Sequence, residues 1–425
     1  MNLLLIAYEC SPYRGSEWAV GWGRLLQAAR VADVHCIVSE TNFADLERAR
    51  MEGLVPANAH IHTPAPDAEL RRLEQQPVHF DYNYTAYHHW HTLAFALAQQ
   101  LHREVGFHVA HQSTVCTVRE PGLLHQLGIP FVWGPFGGTQ NFPTRMLGVL
   151  PLSEAAKELA RTLLNKVILR TSPSIRTAAH RASVILGANT TTVRDMQRIV
   201  PGSKVQRLLE TGLNEVPEPD RTRFLQRVED EEQRRHPRPL RILWSGQLRP
   251  RKALPILLRA LAVLPAEVHF ELDILGDGPM LKQWKHEADA IPSANPVRFL
   301  GRLPFQRAVQ AMQTADLFCF TSLRDTSGNV VLEALAAGVP VVCFDHQGAH
   351  DMVDETCGIR IPVTTPGRAI ADWSAAIHKL ATDQHRLLAL SQGATERARQ
   401  FLWSVNGDHV NSIYFQLAAR AADTP

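Results

Sequence analysis

Short apolar runs alternate with amphipathic stretches along the whole chain, and turn-forming residues separate them. In the first half the apolar runs are Asn2–Tyr8, Val34–Val38, Phe107–Ala110, Ile129–Val132 and Val184–Gly187; in the second they are Leu240–Ser245, Leu272–Leu275, Leu317–Phe320 and Val341–Phe344. Each is four to eight residues long and bounded by turn signals, which predicts buried strands. Helical patterns follow several of them, at Ser16–Arg30, Leu152–Ala182 (one or two helices), Leu254–Leu264, Met280–Ala288 and Asn329–Ala337. Strand, turn and helix recurring in this order predict an α/β protein built from βαβ units.

The clearest such unit is Phe320–Phe344, FTSLRDTSGNVVLEALAAGVPVVCF. Leu323–Gly328 is a loop of turn formers, Gly338 suits the residue after a helix, and Pro340 opens the next strand. The amides of Ser327, Gly328 and Asn329 would then lie at a helix amino end, where they can hold an anion or a sugar hydroxyl. Asp325 lies in the loop, and Glu333 sits among Val330, Val331, Leu332, Ala334 and Leu335. A carboxylate on so apolar a helix must reach solvent, a cation or a ligand. A structural ion pair is one reading; the two adjacent hydroxyls of a ribose are the other.

A chain of 425 residues predicts two domains. A change of composition at 215–239, with Pro217, Pro219, Pro237 and Pro239 among interleaved charges and a short helix around Arg223–Arg234, marks the boundary. The segments are 1–214 and 240–400, with 401–425 as a C-terminal helix after Phe401, Leu402 and Trp403. Apolar content of 45% fits globular cores, and a formal charge of +2 carries no nucleic-acid footprint. The six cysteines lack metal-ligand spacing; Cys36, Cys319 and Cys343 sit inside apolar runs, as reduced cysteines of a cytoplasmic protein do. The start MNLLLIAYEC meets Glu9 too early for a signal sequence, and no stretch is apolar for long enough to span a bilayer.

Several loops carry candidate chemistry. Between the first strand and helix lies SPYRGSEW, with Gly15 ahead of the N-cap candidate Ser16; the G-x-G-x-x-G fingerprint is absent there, which argues against a nicotinamide or flavin enzyme. Tyr82–His91 is rich in aromatics and histidines, but His88, His89 and His91 lack the i, i+4 spacing of a helical metal pair, so a packed or acceptor-facing surface is expected. Phe107–Ala110 runs into His111, Gln112 and Ser113, and Ile129–Val132 into Trp133–Gly138; such strand ends gather at the ligand-binding edge of open α/β sheets. His111 could orient substrate or be a satisfied structural histidine. Leu152–Ala182 carries Lys157, Arg161, Lys166, Arg170, Arg176 and Arg181 spread around the helix, which reads either as a solvated face with i, i+3 and i, i+4 pairs or as a surface for anionic lipid. In the second domain Arg249, Arg251 and Lys252 crowd the loop before a helix, where the macrodipole disfavours cations unless an anion such as a diphosphate binds.

Asp325, seven intervening residues, then Glu333, with Ala334, Gly338, Pro340 and Val341 following, resembles the E-x7-E region of family 4 retaining glycosyltransferases. Three further pieces fall in the family's order: Gly246–Lys252, with Lys252 at the family's lysine; GDGP at Gly276–Pro279; and VRFLGRL at Val297–Leu303, similar to the strand beside the nucleotide base. HQGAHD at His346–Asp351 resembles the loop after the next strand. Glu210–Asn214 resembles the end of the family's first domain, and His111 falls on the first histidine of its strand-end pattern. The chain departs from that pattern in having Asp325 for Glu, Gln247 for Arg, Ser113 for a second His, and Asp351 for Glu.

The resemblance implies a GT-B fold: two Rossmann-like α/β domains facing across a cleft, with the C-terminal helix crossing back to the first. It implies transfer of a hexosyl or related sugar from a nucleotide-sugar, a co-substrate and not a cofactor, to a hydroxyl of a saccharide or lipid-linked saccharide, with retention and without a metal. Lys252, Asp325 and His111 would then be catalytic. Gly15, Gln247, Arg249, Lys252, Gly276, Leu303, Ser327, Gly328, Asn329 and Glu333 would hold the donor. The expected setting is the cytoplasm, with peripheral contact to the inner membrane, in cell-surface polysaccharide or glycolipid synthesis. A nucleotide-sugar 2-epimerase and a catalytically silent nucleotide-sugar-binding protein share this architecture and stand as alternatives. A phosphorylase is disfavoured because nothing marks a lysine for a pyridoxal cofactor.

Overall fold

The computed structural model describes residues 1–75, 83–235 and 238–422; Tyr82, Pro237 and residues 423–425, which enter the sequence reading, lie outside them. Two compact units are present. The first contains Met1–Thr139, Asn165–Gly212 and the chain from Trp403; the second contains Gln140–Leu164 and Leu213–Leu402. Residues 140–164 thus group with the second half of the chain, and the helix Thr222–Glu232, within the stretch read as a linker, packs in the second unit against the helix Gln384–Arg399.

The first unit is built on one sheet: β1 (Asn2–Ala7), β2 (Asp33–Ile37), β3 (Ala59–His62), β4 (Val109–Thr114), β5 (Phe131–Phe136), β6 (Val184–Gly187) and β7 (Val205–Arg207), ordered β3-β2-β1-β4-β5-β6-β7 and parallel throughout. Alternate side chains of β1 feed two cores. Leu4, Ile6 and Tyr8 pack with Tyr87 and Trp90, whereas Leu3, Leu5 and Ala7 pack with Leu25, Val410 and Tyr414. The second face is covered by helices Glu17–Ala29 and Trp403–Ala422, so the C-terminal helix completes the first unit. Glycine permits that approach: a Cβ at Gly23 would come 2.4 Å from the Trp403 ring, and one at Gly407 would come 2.4 Å from Gln27.

Two local expectations change in this unit. Ser16 precedes the helix, but its side chain caps nothing and its φ is 59°; the Glu17 carboxylate instead accepts the Cys116 amide at 3.1 Å. Strand β4 continues to Thr114, so His111, Gln112, Ser113 and Thr114 are buried strand residues instead of an open strand end. The Tyr82–His91 stretch is helical from Tyr84, in Tyr84–Val105, and its histidines diverge. His88 meets Glu120, His89 meets Asp67, and His91 is buried; no histidine, cysteine or carboxylate group with metal-binding geometry occurs among the described residues.

The second unit's sheet comprises β8 (Leu240–Ser245), β9 (Phe270–Leu275), β10 (Val297–Gly301), β11 (Leu317–Phe320), β12 (Val341–Phe344) and β13 (Gly358–Ile361), ordered β10-β9-β8-β11-β12-β13 and again parallel. The chain lays strands to one side as far as β10, then reverses and continues from β11 on the other side of β8. Ligands bind open α/β sheets outside the carboxyl ends of strands at such a reversal. The sequence-predicted unit is present as β11, helix Asn329–Ala336 and β12, with Gly338 closing the helix at φ 67°. At the opposite, amino end of β11, fully buried Asp316 accepts from Arg227 at 2.5 Å and from the Arg241 amide at 2.9 Å, which ties helix Thr222–Glu232 to the sheet.

Replacing Asp316 with alanine leaves Arg227 buried without its counter-charge. The expected loss is about 3–5 kcal/mol, read as a lower urea midpoint, with Asp316→Asn intermediate because it still accepts a hydrogen bond.

Candidate functional site in the second unit

The loops after β8 and β11 meet at the reversal and are joined by backbone and side-chain bonds. The Thr321 hydroxyl donates to the Lys252 carbonyl at 2.6 Å and accepts from the Trp244 indole at 2.9 Å. The Leu323 amide donates to the Arg251 carbonyl at 3.0 Å, and the Arg251 guanidinium to the Arg324 carbonyl at 2.8 Å. Ala253, the residue ahead of helix Leu254–Ala262, has φ 48°; this turns the chain sharply after the three basic residues and leaves Lys252 facing the β11 loop.

Lys252 and Asp325 form an ion pair inside this frame, and Ser322 also donates to Asp325, at 3.2 Å. The Lys252 ammonium lies 5.2 Å from the centre of the Phe320 ring. Burial pulls the Lys252 pKa down, opposed by the Asp325 charge and reinforced by Arg251. For Asp325 burial acts upward, but Lys252, Arg251 and the hydrogen bonds from Lys252 and Ser322 outweigh it and hold the carboxyl below its ordinary range. The pair is thus a charged, partly desolvated group at the sheet's ligand-binding edge.

Three residues outside the sequence-predicted set fix the Asp325 loop. Gln347, buried and at φ 52°, accepts the Asp325 amide at 2.7 Å and donates to the Asn141 carbonyl at 2.9 Å. Arg324 grips Glu158 with both Nε (2.9 Å) and Nη2 (2.8 Å), a fork that few other side chains can make. Gly348 is pressed against this loop, since a Cβ there would lie 2.2 Å from the Thr326 carbonyl oxygen. The loop ends at Gly328, φ 80°, where a Cβ would strike the Phe320 ring at 2.7 Å. Glycine is needed here both for the backbone angle and for the space.

A cavity of about 500 Å³ opens beside these loops, lined by Gln247, Arg249, Gly276, Arg302 and Leu303 among others. Its floor depends on close backbone approach: Gly276 has φ 122°, and a Cβ there would lie 1.9 Å from the Gly246 carbonyl oxygen. A Cβ on Gly246 would be 3.8 Å from the Lys252 side chain, so Lys252 borders the same loop. A second cavity, of about 330 Å³, lies away from the reversal among Arg227, Asp230, Arg238, His269 and Gln384. Its cations Arg227 and Arg238 pair with Asp316 and Asp230.

The structure therefore brings together Gln247, Arg249, Lys252, Gly276, Leu303, Asp325, Ser327, Gly328 and Asn329 on neighbouring loops of one sheet edge. Glu333 lies one helical turn beyond, exposed among the buried Val331, Leu332, Ala334 and Leu335. Gly15 and His111 belong to the first unit. Gly15 is exposed, with no atom within 4 Å of where its Cβ would be. The catalytic expectation for His111 is corrected: it is fully buried, with one ring nitrogen on the Tyr414 hydroxyl and the other on the Gly134 carbonyl. A carbonyl only accepts, so Nε2 bears the proton and Nδ1 takes the Tyr414 hydrogen, leaving neither for a ligand. Burial, with the Arg24 charge, depresses its pKa to about 3, which keeps the ring neutral. Gln347 was missed because its role rests on a backbone angle; its place in the loop His346–Asp351 was the available signal.

Comparison with known proteins agrees with this geometry. Over 98% of this chain and 99% of the other, the structure resembles the Anabaena protein Alr3699/HepE, solved in complex with UDP (TM-score 0.58, 17% identity). It likewise resembles the lipopolysaccharide outer core galactosyltransferase WaaB, in its apo form, over 98% of this chain and 99% of that one (TM-score 0.63, 14% identity). The fold is GT-B. Residues 226–400 match the model of the family described as Glycosyl transferases group 1. The D-inositol 3-phosphate glycosyltransferase of Stackebrandtia nassauensis is 31% identical over 193 residues, 43% of either chain. That of Corynebacterium jeikeium is 27% identical over 231 residues, 52% of this chain and 50% of the other. The chain thus spans about half, or less, of the length of these curated relatives.

Two outcomes follow for the loop. Because the Asp325 carboxyl is depressed in the folded state, its stabilisation is complete above the ordinary carboxylate pKa of about 3.9 and disappears as pH falls through the lower folded value. Asp325→Asn should therefore melt below wild type at neutral pH, and the gap should narrow below about pH 4 in a pH series of thermal melts. Gln347→Ala, which removes both bridging bonds, should cost about 1–3 kcal/mol in urea unfolding.

Proposed function

We propose that the protein is a retaining glycosyltransferase that moves a hexosyl or related sugar from a nucleotide-sugar to a hydroxyl of a saccharide or lipid-linked saccharide. The observation that carries this reading is Lys252 held by Asp325 at the strand reversal, beside a cavity edged by Arg249 and Gly276 and next to the amino end of helix Asn329–Ala336. Cations converging on a helix amino end suit a diphosphate, which backbone N–H groups and fixed charges can hold together. The group 1 match supports the donor assignment, as does a structural relative solved with UDP.

On this reading the donor diphosphate enters the loop frame and draws Lys252 from Asp325. Arg249 and Gln247 meet the phosphates from the β8 loop, Leu303 lies by the base, and Glu333 accepts from the ribose hydroxyls. The bond from the anomeric carbon to the phosphate oxygen breaks while the acceptor oxygen approaches the same face. The new glycosidic bond forms there, and the acceptor proton passes to the departing phosphate oxygen. Atoms and charge balance without a covalent enzyme intermediate. The protein's part is to position the reactants and to neutralise charge on the leaving group, which Lys252 and the amides of Ser327–Asn329 do. Asp325, released from Lys252, is left to orient the donor sugar. Glycan products of the cell surface fit this chemistry, and the structural relative WaaB is named for lipopolysaccharide outer core galactosyl transfer.

Thermal melts with UDP, GDP, ADP, dTDP and their sugars test the assignment. One nucleotide should raise the melting temperature of wild type, by mass action on the folded state, and this shift should be lost in Glu333→Gln. Lys252→Ala should lower kcat for sugar transfer by about 10²–10³-fold, measured on the fraction of the variant that is folded. No shift with any nucleotide would remove the donor-site assignment.

A further inference from the structure

One edge of the first sheet is fastened by histidines. Strand β3 is an edge strand of four residues, Ala59–His62, and pairs with β2 alone. Its side chains alternate between the two faces of the sheet. Ala59 and Ile61 turn to the core that holds Val34 and Cys36, so His60 and His62 lie on the other face with His35. His60 stands directly opposite His35 in the register. Their ring centres are 4.7 Å apart, and those of His35 and His62 are 5.1 Å apart with the planes within 8° of parallel. His35 Nδ1 and His62 Nε2 meet at 3.0 Å. Phe107 packs edge-on at 5.2 Å from the His35 ring, and His102 stacks on Phe107 and accepts its amide at 3.0 Å.

A bond between two imidazole nitrogens needs one N–H and one lone pair, so at least one of the two rings is neutral. A proton on the donor ring's outer nitrogen leaves the bond in place; a second proton sets two N–H groups face to face. Asp33 on β2 and Glu104 on helix Tyr84–Val105 act on the cluster through their charge, but neither hydrogen-bonds one of the three rings among the described residues. Burial pulls the His35 pKa down to about 4, reinforced by His62 and His60 and opposed by Asp33. His62 is lowered by burial and by His60, against Glu104. With both rings depressed in the folded strand pair, their contribution is complete above the ordinary histidine value of about 6.5 and is lost as pH falls toward the folded values. On its other face β3 is held by buried Ala59 and half-buried Ile61, a small apolar contact for an edge strand.

We propose that the His35–His62 pair is a proton-operated latch, which holds β3 on the sheet at neutral pH and releases it on acidification. The latch belongs to the first unit and does not rest on the sugar-transfer reading. Amide hydrogen exchange of the full chain in EDTA, corrected for the intrinsic pH dependence of exchange, is the test. Opening that takes up one net proton changes about tenfold per pH unit. Protection across 59–62 should therefore fall about tenfold per unit between about pH 6.5 and 4.5, while the central strand β1 stays level. In H35Q/H62Q, whose side-chain amides can bond each other without titrating, protection of β3 should not change over this range. If that variant does not fold, proton NMR of the wild-type imidazoles decides, with His35 and His62 expected to titrate below about 6.5. Wild-type protection of β3 that is flat with pH, or a slope that persists in H35Q/H62Q, would overturn the latch. So would both rings titrating at or above the ordinary histidine value.

Discussion

The loops after β8 and β11 are held together by opposite charges. Lys252 and Asp325 lie where parallel strands end and the chain reverses, so neither loop has a sheet partner of its own at this point. Every backbone group in such a place must find a partner from outside the sheet. Here Thr321, Arg251, Gln347 and Arg324 supply those bonds around the ion pair, and Glu158 anchors Arg324 from a segment far away in the sequence. The outcome is a rigid set of loops whose central charge is balanced by a single carboxylate.

The site was legible in the sequence where local chemistry decides structure. Gly328, Gly338 and Pro340 punctuate β11, helix Asn329–Ala336 and β12 because only particular residues tolerate those backbone angles, and those signals survive without any knowledge of the fold. The crowding of Arg249, Arg251 and Lys252 was readable for a similar reason, as a local conflict with a helix dipole. By contrast, β4 reads as apolar only to Ala110, yet the strand continues through His111, Gln112, Ser113 and Thr114. Buried polar residues carry no hydrophobic period; their place in the strand depends on partners such as Tyr414, which arrive from the far end of the chain.

The other differences share that non-local origin. Nothing in residues 140–164 announces that Phe142, Met146 and Leu150 join the core of the second unit, since their partners include Trp373 and Leu380. Ser16 has the composition of a cap but a backbone angle that turns its side chain away. Gln347 has the composition of a surface residue but is buried, because two loop backbones need a donor and an acceptor at one spot. Composition reports what a residue can do. Whether it does so depends on which groups lack partners nearby.

The chain passes from one unit to the other after Thr139, Leu164, Gly212 and Leu402, and this path has a consequence during synthesis. The face of the first sheet that Leu3 and Leu5 present is covered by Val410, Ile413 and Tyr414, which emerge from the ribosome only after the whole second unit. Until then that apolar face waits half covered, with His111 and Arg24 lacking the Tyr414 and Asn406 that satisfy them. The first unit begins before the second but is finished after it, so a nascent chain is most exposed to aggregation in the part that was made first.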